Sequence, residues 1–337
     1  MRLENTLALI HGELINTPCI NSFNNVVLDA KAVKRGDLFI AFDENSIEDA
    51  IFNGAYGVIF DKPTQITDNE IAWIKVANLE DSLKRLLRFR LISKEITAYS
   101  CDEITLKLAI QIVTEPNFIV LHGSLQSIFK ELYYVENSTT VLFSPTLTPA
   151  DLFTSIKELP KSKRSIIDII RKTLFETSFI YNNVFYEREL IAPLFIPYLE
   201  RLLYLLQSLK IEFRLRKFTQ IDHFEAVFVN RNFEIKEFGN SDRVLIFEKS
   251  ISFIEDEIGF LQKHAPWAKI IYIVPFSSKG LLSTATFKSE NIFFYTDSKE
   301  LKTILHANSF HFALIGGIDR SILEELSIKQ TQLTLDF

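Results

Sequence analysis

Asp29-Ala30-Lys31-Ala32-Val33-Lys34-Arg35-Gly36-Asp37-Leu38-Phe39-Ile40-Ala41, with Gly54-Ala55-Tyr56-Gly57-Val58-Ile59 following it, is the stretch that sets the architecture of this chain. Lys34-Arg35-Gly36-Asp37 reads as a turn because it joins glycine to a short polar side chain. It is followed by the strand-like Leu38-Phe39-Ile40-Ala41-Phe42, an amphipathic helix from Ser46 to Asn53, Gly54 as its stop, and the strand Gly57-Val58-Ile59-Phe60. A helix ended by glycine before a β-branched run is an α-to-β signal. Upstream lie an apolar stretch from Leu7 to Ile10, a loop through Pro18 and the short run Asn25-Val26-Val27-Leu28. Downstream, Ala72 to Val76 reads as a strand and Asn78 as the cap of a helix from Leu79 to Leu91. The basic residues in the second half of that helix suit the negative end of its dipole.

The pattern continues along the chain. A strand near Ile96, a loop Ser100-Cys101-Asp102 and a helix from Glu103 to Val113 lead to the strand Phe118 to Leu121 and the turn His122-Gly123-Ser124. A short helix is predicted between Pro145 and Pro160, and Pro193 and Pro197 precede an apolar helix from Tyr198 to Leu209. A last block holds strands at Arg243–Phe247, Lys269–Val274, Asn291–Tyr295 and Phe312–Ile315, with helices near Ile254–Lys263, Ser298–Leu305 and Asp319–Leu326. Strands alternating with helices in this way imply a small, mostly parallel, doubly wound sheet.

Composition narrows the function classes. The chain has 337 residues, 47% hydrophobic and 24% charged, with a mean hydropathy of +0.12, which describes a globular protein with room for more than one domain. A formal charge of −6 argues against broad nucleic-acid binding or a grip on an anionic membrane. No segment approaches the ~18 uninterrupted apolar residues of a membrane span. Cys19 and Cys101 are far apart, so neither a disulfide framework nor zinc-ligand spacing is present, and the cytoplasm is the expected compartment.

The opening stretch resembles the N-terminal domain of the Mur ligases, the amide ligases of peptidoglycan-precursor synthesis, and within them the enzymes that add D-alanyl-D-alanine or form the tripeptide. Asp29-Ala30-Lys31 stands at the family's Asp-Ser-Arg triplet, Lys34 to Phe39 at its Lys-Pro-Gly-Asp-Leu-Phe turn and strand, and Ala50 to Ile59 at its Gly-Ala helix end and valine-rich strand. The resemblance implies an α/β fold in a three-domain Mur-ligase-like arrangement. Residues 1–93 would be the domain for a UDP-sugar-type ligand, 94–242 a degenerate central α/β domain and 243–329 a Rossmann-like C-terminal domain, with a tail at 330–337. It also implies ATP and magnesium as cofactors, which would activate a carboxylate as an acyl phosphate.

That chemistry needs a glycine-rich phosphate cradle, a lysine and a hydroxyl on magnesium. At the corresponding strand, loop and helix the sequence reads Ile96-Thr97-Ala98-Tyr99-Ser100-Cys101-Asp102-Glu103-Ile104-Thr105, with no glycine or lysine and two carboxylates. No glycine occurs between Gly57 and Gly123, nor between Gly123 and Gly239. Cofactors and catalytic residues are therefore expected to be none, with Asp102 and Glu103 as ordinary first-turn helix residues. Ala30 and Lys31 replace the family's serine and arginine, removing a hydroxyl and a bidentate fork. Lys31, Lys34, Arg35 and Asp37 remain as candidate ligand-binding residues.

His11, His122, His223, His264, His306 and His311 are scattered and form no local metal or nucleophile motif. Gly316-Gly317 after a strand resembles a fragment of a dinucleotide loop, but with no third glycine before the helix start at Asp319 a turn is enough to account for it. The chain ends Gln332-Leu333-Thr334-Leu335-Asp336-Phe337, which resembles the peptide that docks bacterial replication proteins onto the sliding clamp, with Gln332, Leu333, Leu335 and Phe337 as its contact residues. The expected function is that of a Mur-ligase-like pseudoenzyme holding a UDP-N-acetylmuramoyl peptide or another cell-wall enzyme. An active ligase with a rebuilt site and a clamp-docking module are the alternatives.

Overall fold

A computed structural model describes residues 1–160, 165–215, 217–237, 239–282 and 291–326. The chain divides into two compact units, the first Met1–Leu106 with Glu115–Leu159, the second Lys107–Thr114 with Pro160–Phe337.

Unit 1 begins with a five-stranded sheet of order β1-β5-β4-β3-β2, formed by Glu13–Leu14 (β1), Val26–Val27 (β2), Leu38–Ile40 (β3), Gly57–Phe60 (β4) and Ala72–Lys75 (β5). β2, β3, β4 and β5 run parallel, and β1 joins β5 antiparallel at the edge. The two-residue period of a strand sorts its side chains. Leu38, Ile40, Ile59 and Ile74 enter one core, packed by α1 (Leu3–Ile10) and by Leu83, Leu86 and Leu87 of α3 (Leu79–Ile92). Phe39, Val58, Phe60 and Trp73 enter the other, against Ile47 and Ala50 of α2 (Ile47–Phe52). Burial on both faces explains why these strands read as continuous apolar runs.

A second sheet of unit 1, order β7-β8-β6-β9, is parallel throughout: Thr97–Ser100 (β6), Phe118–Val120 (β7), Thr140–Phe143 (β8) and Ile156–Glu158 (β9). α4 (Glu103–Ile112) follows β6, and α5 (Leu125–Leu132) follows β7 with its N-terminus capped by the Ser124 hydroxyl. Where a short helix is predicted between Pro145 and Pro160, the chain makes only a 3-10 turn at Ala150–Leu152 and then forms β9. The prolines at Pro145 and Pro149 remove helix donors, and β6 offers β9 a parallel edge.

In unit 2, Asp168–Lys172 (β10), Thr177–Tyr181 (β11) and Val184–Glu189 (β12) form an antiparallel sheet absent from the sequence reading. Asn182 and Asn183, both at positive φ (47° and 62°), make the β11–β12 hairpin, as a two-residue loop of that hand requires. The apolar helix runs from Ile196 to Leu209 (α6), taking Pro197 into its first turn, where a missing N–H costs nothing. A second sheet, order β13-β14-β17-β15-β16, comprises Glu225–Val229 (β13), Arg243–Glu248 (β14), Ile270–Pro275 (β15), Ile292–Tyr295 (β16) and Phe312–Gly316 (β17). Its strands are parallel except β13, an edge strand that precedes the predicted start at Arg243. α7 (Ile254–His264) and α8 (Ser298–Ala307, capped by Asp297) are among its helices. The parallel strands are thus spread over separate sheets rather than gathered into one.

Gln332, Leu333, Leu335 and Phe337, the candidate clamp-docking residues, lie outside the described residues. Among the described residues no helix is long and apolar enough to cross a membrane.

Candidate functional site

The four candidate ligand residues of unit 1 meet on one loop, between β2 and β3. Asp29 accepts a hydrogen bond from the Lys31 amide (3.0 Å) and so starts the 3-10 turn Ala30–Ala32. Asn53 Nδ2 donates to the Ala30 carbonyl at 3.0 Å and ties that turn to the end of α2. Gly36, at φ +96°, donates to the Gly54 carbonyl. Asp37 is 2% exposed. Its Oδ1 accepts from the Asn25 amide and from Asn25 Nδ2, both at 3.2 Å, and its Oδ2 from the Lys34 amide at 2.9 Å.

Asp37 therefore holds the turn closed with its lone pairs directed at protein donors. Lys31, Lys34 and Arg35 are exposed on the same loop. Arg35 Nε donates to the Tyr56 hydroxyl at 3.1 Å, a bond that raises the guanidinium above its already high range. Ala30 is buried and brings no hydroxyl. The structure thus keeps three surface cations together and gives the carboxylate a structural task. Asn25 and Tyr56, which position this loop, are missed by sequence reasoning because each reaches it from another element.

The second place is the junction of β6 and α4, the stretch Ile96 to Thr105 that holds no glycine or lysine. Asp102 accepts from the Thr105 amide (2.7 Å) and from the Thr105 hydroxyl (2.9 Å), which is an N-cap bond made by a carboxylate. Glu103 Oε1 accepts from the Thr146 hydroxyl at 2.7 Å, and Ser144 and Thr146 share a hydrogen bond of 2.8 Å. Cys101 packs beneath, its thiol donating to the Phe143 carbonyl at 3.5 Å. These residues do not fit a triphosphate: the positive end of the α4 dipole is already matched by carboxylates, and further negative charge would be repelled. Asp102-Glu103-Ile104-Thr105 carries the cap signal in its sequence, whereas Ser144 and Thr146 are brought in by the parallel pairing of β6 with β8.

The remaining motifs have structural tasks. Gly123 (φ +91°) turns the chain so that Ser124 caps α5, and the His122 ring nitrogen lies 3.1 Å from the Val120 carbonyl. A Cβ on Gly317 (φ +83°) would stand 2.5 Å from the Pro275 ring, so Gly316-Gly317 serves close packing. His223, by contrast, is brought to Glu248 at the end of β14: its Nδ1 lies 2.8 Å from Oε1, and the Phe224 and Ser250 amides also donate to that carboxylate. Glu257 lies in the same interior, and burial, reinforced by the charge of Glu248, pushes its carboxyl well above the usual range. His223 is 1% exposed and both glutamates 0%, so the group is internal. Among the described residues no cluster of three or more His, Cys, Asp or Glu side chains could hold a metal ion.

With these arrangements in place, the chain is similar to a crystal structure of MurF from Acinetobacter baumannii, with a TM-score of 0.52 over 96% of this chain and 98% of that chain, at 9% identity. The fold is Mur-ligase-like. A MurF ligase from Thermotoga maritima, solved in complex with ADP, aligns over 90% of this chain and 96% of that chain at 12% identity and a TM-score of 0.48. No family model and no curated protein sequence matches the chain. At such identities the Mur-ligase-like likeness speaks for the fold, while any chemistry rests on the site residues.

Proposed function

We propose that this Mur-ligase-like protein is a non-catalytic relative of the peptidoglycan-precursor ligases, a pseudoenzyme that binds a UDP-N-acetylmuramoyl peptide or a cell-wall protein partner in the cytoplasm. The observation that carries the reading is the start of α4, where Asp102 caps the helix and Glu103 bonds Thr146 in place of a glycine-rich loop and its lysine. A nucleoside triphosphate has no backbone cradle there. Lys31, Lys34 and Arg35, exposed on a loop held rigid by Asp37, supply cations for the diphosphate of a nucleotide sugar. The working domain division is 1–93, 94–242 and 243–329.

Thermal stability of the purified protein with magnesium-ATP and, separately, with a UDP-N-acetylmuramoyl peptide tests this. A ligand at a hundred times its dissociation constant adds about 2.7 kcal/mol. The expected outcome is a shift with the UDP-sugar peptide, lost on changing Lys31, Lys34 and Arg35 together, and none with magnesium-ATP. ATP turnover, or a shift with magnesium-ATP, would overturn the reading in favour of a ligase with a rebuilt site. No shift with either, and clamp pull-down lost on removing Gln332 to Phe337, would favour an interaction module.

A further inference from the structure

Unit 2 encloses a cavity of about 1000 Å³ that no step above uses. The antiparallel sheet β10–β12 and the β13 edge of the mixed sheet both line it. Its floor is aromatic: Phe195, Phe224 and Phe312 are 3%, 2% and 7% exposed. Phe175, on the loop between β10 and β11, stands 5.7 Å from Phe224, 6.2 Å from Phe228 and 6.4 Å from Phe312, ring centre to ring centre. At the mouth Trp267, 71% exposed, lies against Phe312 at 6.0 Å.

The charges on its wall are one-sided. Arg171, Lys172 and Arg188 line it against one carboxylate, Glu176, which is held by Arg188 through bonds of 3.1 and 3.3 Å. Arg171 and Lys172 end β10 and are exposed, so their cations edge an apolar hollow. Burial and then the fields of Lys172 and Lys263 lower the His264 imidazole from its ordinary range. Apolar depth with cations at the entrance matches a molecule built the same way, and the volume is at the upper end of small-molecule pockets.

We propose that this cavity binds an amphipathic anion, a single alkyl or acyl chain ending in a carboxylate or phosphate, with the chain among the phenylalanines and the head at Arg171 and Lys172. Titration of the full-length protein with octanoate, decanoate and laurate below their micelle concentrations tests it, by calorimetry and by tryptophan emission. Trp267 is the reporter, since Trp73 is fully buried in the other unit. The expected result is one site whose affinity rises about fourfold per added methylene, with an emission change that Trp267→Phe abolishes while calorimetric binding persists. Dodecyl phosphate in place of laurate distinguishes the two head groups, tighter binding identifying the preferred one. The exposed double variant R171E/K172E is expected to weaken laurate at least tenfold and leave dodecanol unchanged. The cavity-filling Ala226→Phe should weaken both ligands, provided its melting temperature is retained. Equal affinity for laurate and dodecanol, no dependence on chain length, or displacement of laurate by magnesium-ATP would overturn the assignment.

Discussion

The loop Lys34–Asp37 and the helix start Cys101–Thr105 both carry a buried or half-buried aspartate that accepts backbone N–H bonds, yet they stand in opposite relation to the fold's ligand chemistry. At the loop, Asp37 is held by donors from Asn25 and Lys34, and the family-like sequence around it persists. At the helix start, Asp102 bonds one turn ahead, to Thr105, and the stretch Ile96 to Thr105 holds no glycine or lysine. The difference teaches that a carboxylate tying two segments together serves the fold whether or not its loop holds a ligand. A loop needed only for a ligand can be replaced by any local cap that satisfies the helix end.

The sharpest test of that contrast is Asp37→Ala, which leaves the part-buried donors of Asn25 and Lys34 without their charged acceptor. A loss of about 3 kcal/mol is expected, read from urea unfolding at neutral pH. A loss below that of Asp102→Ala would break the comparison. Glu257 extends it to a carboxylate whose oxygens have no hydrogen-bond donor among the described residues. Its folded pKa is raised above the ordinary 4.5, so the native state holds the proton longer than the unfolded chain does. The stability this contributes is complete below pH 4.5 and is lost as pH rises toward the folded value.

Glu257→Gln cannot lose that proton. Wild type minus variant stability should therefore fall as pH rises above 4.5, by up to about 1.4 kcal/mol per pH unit. A flat difference would mean that Glu257 is ionised beside Glu248 and His223. Asp102→Ala removes a helix cap, with an expected cost of about 1 kcal/mol and no effect on nucleotide binding. The smallest effect belongs to Lys31, Lys34 and Arg35. Changing all three to alanine should leave the urea midpoint where it is, because they are exposed. Any change should appear in ligand binding alone, measured by calorimetry with a UDP-sugar peptide.

Much of the fold was legible because local signals agreed with it. Gly54 after the α2 pattern, Asn78 before α3 and the apolar run at Leu38–Ile40 mark element ends that tertiary packing leaves in place. β8 and β13 were not: Thr140–Phe143 is short and polar-flanked, and becomes a central strand because β6 and β7 pair with its two edges. β10 and β12 are mostly exposed, so they lack the buried runs by which the parallel strands announce themselves. At the candidate site, Lys31, Lys34, Arg35 and Asp37 could be named from sequence, but the structural role of Asp37 could not, since Asn25 reaches it from the segment before β2.

By itself the sequence determined many of the element types and caps, the Mur-ligase-like likeness of the opening stretch and the absence of glycine and lysine from Ile96 to Thr105. These follow from residue spacing, glycine positions and the charge at one helix start, all of which act within a few residues. Only the tertiary structure decided which carboxylate is structural, that His223 meets Glu248 and that the phenylalanines of four separate segments surround a cavity edged by Arg171 and Lys172. Those outcomes depend on contacts between residues tens of positions apart, set by burial and strand pairing rather than by any local pattern.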